Sequence, residues 1–441
     1  MTNGQDIQPL YLHPHSSANE PVTLHTGPVV LRVGARTSEG TGRLVLGFLP
    51  STGLRLDVDI ASGAAPDAGS RVRADVAGGV ADALVNSVRI GFEEEKAFSA
   101  IEAGISRFET GATAGLASVG FQVLNFTDFL TPGPKAAPVF GFPPRATDLQ
   151  AGGWRVRLTA VDRSKDIFEG LDEIGGYAFT HLGLLERVDG GLFDAPDADA
   201  FLNTLAFFLS FARGAACSLP VRWGIDAGGG IVWQCWGSPI VDAWKTPETW
   251  FDEHHGNLLS ELFPAFHEAS IDPDLGEPLK LALHWYQRSN MRAGGMEGAI
   301  ILGVTNLDLL SALVVVDRNG AMSDSKFDDL KAKEKLARLL AAMNLPATVP
   351  PRLSELTAFA SANGWADATV ALAEIRHGYV HPNKKRRKIV MAAPQLATFQ
   401  AWRLSLWYQE LALLHFLKHR GEYRNRLTAE WRGIVEKVPW I

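Results

Sequence analysis

Near residue 277 the hydrophobic period of this 441-residue chain changes, and no other feature constrains its fold as strongly. A segment patterned with a period of about two buries one face of a strand, whereas one patterned near 3.6 buries one face of a helix. Before the change, apolar residues come in short, partly alternating runs such as VTLHTGPVVLRVG, TGRLVLGFL and GLRLDVDIA, separated by Gly, Pro and Ser turns. After it, EPLKLALHWYQRSN, AIILGVTNLDLLSALVVV, KFDDLKAKEKLARLLAAMN, RLSELTAFASANGW and DATVALAEIRHG all carry helical spacing. TFQAWRLSLWYQELALLHFLKHRG predicts one long last helix, with Phe399, Trp402, Leu406, Leu413 and Phe416 near one face and a basic end at Lys418 to Arg420 before Gly421.

Between these regimes GGWRVRLTAV predicts a strand and YAFTHLGLLERVDGGLF a hairpin turning on Asp189-Gly190-Gly191. DADAFLNTLAFFLSFARG predicts a helix ended by Gly214, and LPVRWGIDAGGGIVWQCWG a second hairpin around Gly228 to Gly230. TPGPKAAPVFGFPP, residues 131–144, is too rich in proline for an element interior and marks a link or an edge. The expected fold class is therefore multidomain α+β. A β-rich domain spans 1–145, a mixed region spans 146–276, separate or continuous with the first, and an all-α bundle spans 277–441.

Charge changes sign at the same place. From Glu277 onward there are 23 Lys and Arg against 15 Asp and Glu; before it there are 19 against 34, within a total of −7. A basic helical part able to meet a polyanion beside an acidic β-rich part is the expectation. Cys217 and Cys235 fit no metal or redox spacing, which suits a reducing, cytoplasmic setting. MTNGQDIQPL lacks the basic and apolar regions of a secretory signal. The apolar stretch 299–316 carries Thr305, Asn306 and Asp308, and is expected to be buried core rather than a membrane span.

One segment concentrates chemistry: EIRHGYVHPNKKRRK, residues 374–388. Five positions apart on an unbroken helix, Arg376 and His381 would diverge by about 140°. Gly378 leaves helical geometry cheaply and Pro382 biases His381 away from it, so a helix end followed by a turn would let both face one cleft. A neutral imidazole can take the proton of a ribose 2′-OH, while a guanidinium holds the attacked phosphate. The products would be a 2′,3′-cyclic phosphate and a 5′-hydroxyl; no metal or cofactor is needed, and DNA would survive. The basic run Lys384, Lys385, Arg386, Arg387 and Lys388 would track an RNA backbone beside that cleft.

Arg376-His-Gly-Tyr-Val-His381 resembles the Arg, four-to-six residues, His signature of the HEPN superfamily. The end of the chain, HFLKHRGEYRNRLTAEWRGIVEKVPW, resembles the tails of bacterial HEPN proteins with β-rich N-terminal regions, including the ApeA-like type. The resemblance implies a helical bundle that forms a homodimer with two Arg-His motifs in one composite cleft, acting as a metal-independent endoribonuclease in a toxin or phage-defence role. By position it makes Arg376 the phosphate-binding residue, His381 the general base or acid and His377 a supporting polar group. In the toxin subgroup a Tyr stands two residues after the histidine; here Asn383 does, so Tyr379 inherits no modification role. The N-terminal region would then sense an unidentified trigger.

Blander readings stand beside these. The motif can be an ordinary helix end facing its dipole, or a cleft that binds RNA, a nucleotide or a protein without cleaving. A charge run is often a solvated loop. Asp252, Glu253, His254, His255, His267 and Glu268 fit no zinc spacing, and Trp223, Trp233 and Trp236 suit a hairpin core. Tyr423, Asn425 and Arg426 suit structural hydrogen bonding. No glycine-rich phosphate loop, Gly-x-Ser-x-Gly elbow or His-Glu-x-x-His motif is present.

Overall fold

A computed structural model describes residues 17–93, 96–131, 145–381 and 383–441. The proline-rich stretch beyond Thr131 and the proline at 382 lie outside the described residues. The chain is mixed α+β, β-rich at its N-terminal side and helical at its C-terminal side, and it divides into two compact units. The first comprises 1–128, 153–206 and 217–245; the second comprises 129–152, 207–216 and 246–441.

The first unit begins with β1 (Val22–Val33), β2 (Arg36–Gly47), β3 (Gly53–Ser62), β4 (Arg71–Val76), β5 (Gly79–Glu93) and β6 (Lys96–Gly111). They pair in the order β3-β2-β1-β4-β5-β6, and β6 returns to β3 from Leu54↔Ile105 to Ile60↔Ser99, closing a barrel. Alternation explains the closure: on β3, Leu54, Leu56 and Val58 are buried while the charged residues between them are not. On β4 the same holds for Val72, Ala74 and Val76. Closing the sheet gives each of the six strands a neighbour on both sides over at least part of its length.

The far end of β6, Arg107 to Gly111, pairs with β12 (Ile231–Gly237) on one edge while Phe108 and Glu109 stay paired with β5 on the other. From there the order runs through β11 (Ser218–Ile225), β7 (Ser118–Leu124), β10 (Phe179–Arg187) and β9 (Trp154–Ala160). β7 is buried along its whole length, as a strand flanked on both edges should be. β11 and β12 form the hairpin expected around Gly228, and Trp223, Trp233 and Trp236 are all core. The hairpin expected at Asp189-Gly190-Gly191 is absent. β10 already has β7 and β9 on its two edges, so the turn leads only to a bridge between Phe193 and Leu116. Two helices complete the unit, α1 (Ser164–Ile174) and most of α2 (Ala195–Arg213), which stops where Gly214 takes a φ of +73°.

The second unit holds β8 (Ala146–Ala151), which packs on α3 (Asn257–Ile271), and then an array of helices. These are α4 (Gly276–Asn290), α5 (Gly295–Ala312), α6 (Asp324–Asp328), α7 (Ala332–Ala342), α8 (Ser354–Ala362), α9 (Ala368–Val380), α10 (Lys384–Met391) and α11 (Gln395–Phe416). A π-helical turn, Leu313–Arg318, extends α5. The 24 residues Gly295–Arg318 are long and apolar enough to cross a membrane by length and composition, yet 61% of their apolar window is buried inside the protein. They act as a core helix, packed by α4, α7, α9 and α11.

Two details depart from the sequence expectations. α11 stops at Phe416 rather than running to Arg420, because Leu417 is buried and Lys418 turns the chain with a φ of +56°. The tail is also not helical: β13 (Glu422–Tyr423) pairs with β14 (Glu436–Lys437). Glu436 holds this pair, accepting from the Tyr423 hydroxyl at 2.9 Å and the Asn425 amide at 2.8 Å.

Candidate functional site

α9 is built to present its last turn. Asp367 caps its start, accepting from the backbone N–H of Thr369 at 2.9 Å and of Val370 at 3.0 Å. Ala371, Leu372, Ile375 and Gly378 bury one face. The helix ends at Val380, and His381 turns extended with φ −97° and ψ 144° while its N–H still donates to the His377 carbonyl at 3.0 Å. One helical turn apart, the two imidazoles are neighbours, with ring centroids 5.2 Å apart. Arg376 sits on the same turn.

The chain then folds back as α10, and Gly378 permits it. A Cβ at position 378 would fall 2.5 Å from Val390 Cγ1 and 3.2 Å from the Arg386 carbonyl oxygen. The basic run expected as a loop is therefore a short helix. Asn383 caps it through the Arg386 N–H at 3.1 Å, and Arg386 pairs with Glu374 on α9 at 2.9 Å. Lys384, Lys385, Arg387 and Lys388 are exposed beside it. Arg386 thus braces the turn, and the other four supply the positive surface.

Burial holds the His377 imidazole below its ordinary pKa, and the neighbouring Arg376 charge adds to the effect, so His377 is neutral at pH 7. Asp308 on α5 lies within the field of Arg376: burial raises its pKa, and the charges of Arg376 and then Lys335 oppose the rise. Among the described residues, Arg376 Nε and His377 Nδ1 are buried atoms without a hydrogen-bond partner. Arg403 Nε, Arg424 Nε, His254 Nδ1 and His415 Nδ1 share this state, so what sets this turn apart is that two such nitrogens adjoin an exposed imidazole and a basic helix. His381, exposed at the rim, completes a cation, a neutral imidazole and a second imidazole within two turns.

The other residues singled out by sequence have structural surroundings. Asp252 is fully buried; burial opposes its ionisation, but donation from the Gly433 and His254 N–H groups and from His255 outweighs it and lowers its pKa. Among the described residues, no group of three or more His, Cys, Asp and Glu side chains is placed to hold a metal ion. His415 packs edge-on against Trp440 at 4.9 Å, and burial lowers its pKa.

Sequence reasoning gave Tyr423, Asn425 and Arg426 structural hydrogen bonding, and in the same unit Arg426 does join a buried network, though its carboxylate partner was not foreseen. Arg426 and Glu410 are paired with 1% and 0% of their side chains exposed. Arg426 donates to both Glu410 oxygens, one at 2.9 Å, to the Glu248 carbonyl at 2.9 Å and to Asn290 at 3.3 Å. The Tyr286 hydroxyl donates to Glu410 at 2.6 Å. Burial alone would lower the Arg426 pKa; Glu410 reverses that, so the guanidinium stays charged. Glu410, set among apolar residues of the last helix, was the available signal, but its partner lies beyond the helix in the tail.

Fold and site together define a two-unit α+β protein with a closed β-barrel and a helical unit carrying a cationic, imidazole-bearing turn. The family model described as the YopA C-terminal domain matches residues 272–437, and that described as the YopA central domain matches residues 111–247. The SPbeta prophage-derived uncharacterized protein YopA of Bacillus subtilis (strain 168) is 26% identical over 434 residues, covering 96% of this chain and 95% of its own length. No solved structure matches the chain.

Proposed function

We propose that this protein is a HEPN-type, metal-independent endoribonuclease whose site is the turn joining α9 and α10. The observation that carries the reading is the pair of buried, unpartnered nitrogens, Arg376 Nε and His377 Nδ1, beside the exposed His381. Arg376 holds the phosphate that is attacked. His381 acts as the general base toward the 2′-OH or as the general acid toward the leaving 5′-oxygen, with the second copy's motif in the composite cleft taking the other role, and His377 donates or accepts a supporting hydrogen bond. Lys384, Lys385, Arg387 and Lys388 steer the RNA backbone, and Arg386 keeps their helix in place through Glu374. Two copies of the helical unit would complete a composite cleft, with the β-rich, acidic region sensing a trigger. The similar Bacillus protein is prophage-derived, which suits a cytoplasmic effector in a toxin or phage-defence setting.

A second reading has its own support. The charge of Arg376 acts on the half-buried Asp308, so the arginine can serve the packing of α9 on α5 in a module that binds RNA, a nucleotide or a protein without cleaving it.

The test incubates the purified full chain with total RNA and labelled transfer RNA in EDTA, next to Arg376→Ala and His381→Ala. Cleavage by the parent alone, leaving cyclic-phosphate ends, is expected. Equal cleavage by all three, or none by a dimeric parent exposed to its trigger, would overturn the ribonuclease reading.

A further inference from the structure

One turn from Arg376 the same helix lines a pocket of ≈ 570 Å³, inside the roughly 300–1,000 Å³ range of small-ligand sites. Its walls come from the start of α5, from α9, from α10 and from the start of α11. Aromatic rings are supplied by Tyr379 and Phe399, and exposed hydrogen-bonding groups by Gln395, Glu297 and the Arg292 guanidinium. Phe399 is held from behind by Trp402, at 5.5 Å between ring centroids, and by the Arg403 guanidinium at 6.0 Å. Burial raises the Tyr379 pKa, so the phenol keeps its proton. At the mouth Met391 and Leu396 are 65% and 51% exposed, an apolar rim open to a ligand.

We infer that this pocket takes one unstacked base of a single-stranded RNA, and that it favours guanine. The inference rests on the RNA reading of the adjoining turn. Sequence-specific RNA recognition works on splayed bases, which stack on aromatic side chains and are read along their edges. Here half-buried rings line the pocket and exposed polar groups edge it, while the lysines and arginine of α10 supply positive charge beside it, the division a nucleotide needs between base and backbone. The Glu297 carboxylate only accepts, so it suits a base edge made of donors. Guanine presents N1–H and N2–H together, whereas uracil presents one N–H between two carbonyls.

The experiment measures fluorescence anisotropy of the full-length His381→Ala protein, which keeps the RNA intact. The probes are labelled hexaribonucleotides carrying one guanosine, one uridine or one abasic site in an otherwise identical strand. Expected is an affinity for the guanosine strand about tenfold above that for the abasic strand, the scale of a single base stack. Adding Phe399→Leu should remove that difference and leave abasic binding unchanged; adding Glu297→Gln should narrow the gap between guanosine and uridine. Thermal melting checks that each variant is folded. Binding that ignores the base, or a base dependence that survives Phe399→Leu, overturns the pocket and leaves the cleavage reading standing. Base-dependent binding without cleavage by the parent overturns the ribonuclease reading and keeps the pocket, and failure to bind any strand overturns both.

Discussion

Two charged clusters in the helical unit use similar residue types to opposite ends. Around Arg426 a guanidinium meets Glu410, Tyr286, Asn290 and the Glu248 carbonyl, with little solvent in reach. Around Arg376 the guanidinium has one buried nitrogen without a partner, next to an imidazole with another. A satisfied buried network rigidifies a fold, whereas an unsatisfied one has capacity left for a ligand. The contrast separates an arginine that holds the tail to the helices from one that, on the proposed reading, holds a phosphate. Arginine content alone would not have told them apart.

The sharpest way to break this contrast is to truncate one member of each cluster. Arg376→Ala and His381→Ala should lower cleavage by about 10²–10⁴-fold in a labelled-RNA assay, the range typical of a lost acid or base, with little change in melting temperature. Arg426→Ala should instead lower unfolding stability by about 3–5 kcal/mol in urea, because it leaves Glu410 charged and buried. If the double change Arg426→Met with Glu410→Leu recovers most of that loss, the pair is structural as argued; if Arg426→Ala is as stable as the parent, the contrast fails.

Gly378 sharpens the comparison from the side of geometry. Gly378→Ala should cost about 1–3 kcal/mol through its clash with Val390 and should displace α10, weakening RNA binding. Combining it with Val390→Ala should restore both, read by urea unfolding and anisotropy. The smallest effect concerns pH. Burial depresses the folded pKa of His377, and it also does so for His415, so the unfolded chain binds more protons than the folded one between the two values. Their contribution to stability is complete above the unfolded histidine pKa and is lost as pH falls through the folded values. Unfolding between pH 7.5 and 5 should show stability falling with acidification, and His377→Gln should flatten its share of that slope.

Much of the site was legible because its signals are local. Arg376, His377 and His381 lie within six positions, and the break after Val380 follows from residues next to it in the chain. The basic run was visible too, but not its conformation, since α10 depends on Asn383 as a cap and on Glu374 reaching Arg386 across twelve residues. Asp308 and Glu297 gave no sign of their roles, because each acts from another helix. The turn after Asp189 was misread as a hairpin for the same reason: whether a strand has a free edge is a property of its neighbours.

What the sequence determined by itself is the order of elements, the change from strands to helices and the place of the cationic turn, since hydrophobic period and turn chemistry are set by residues a few positions apart. Only the tertiary structure decided that β6 closes a barrel onto β3, that α10 folds against Gly378, and that Arg426 returns to Glu410 while Arg376 Nε is left without a hydrogen-bond partner. Those outcomes depend on which distant groups arrive within a few ångströms of one another, and the packing of the whole unit makes that choice.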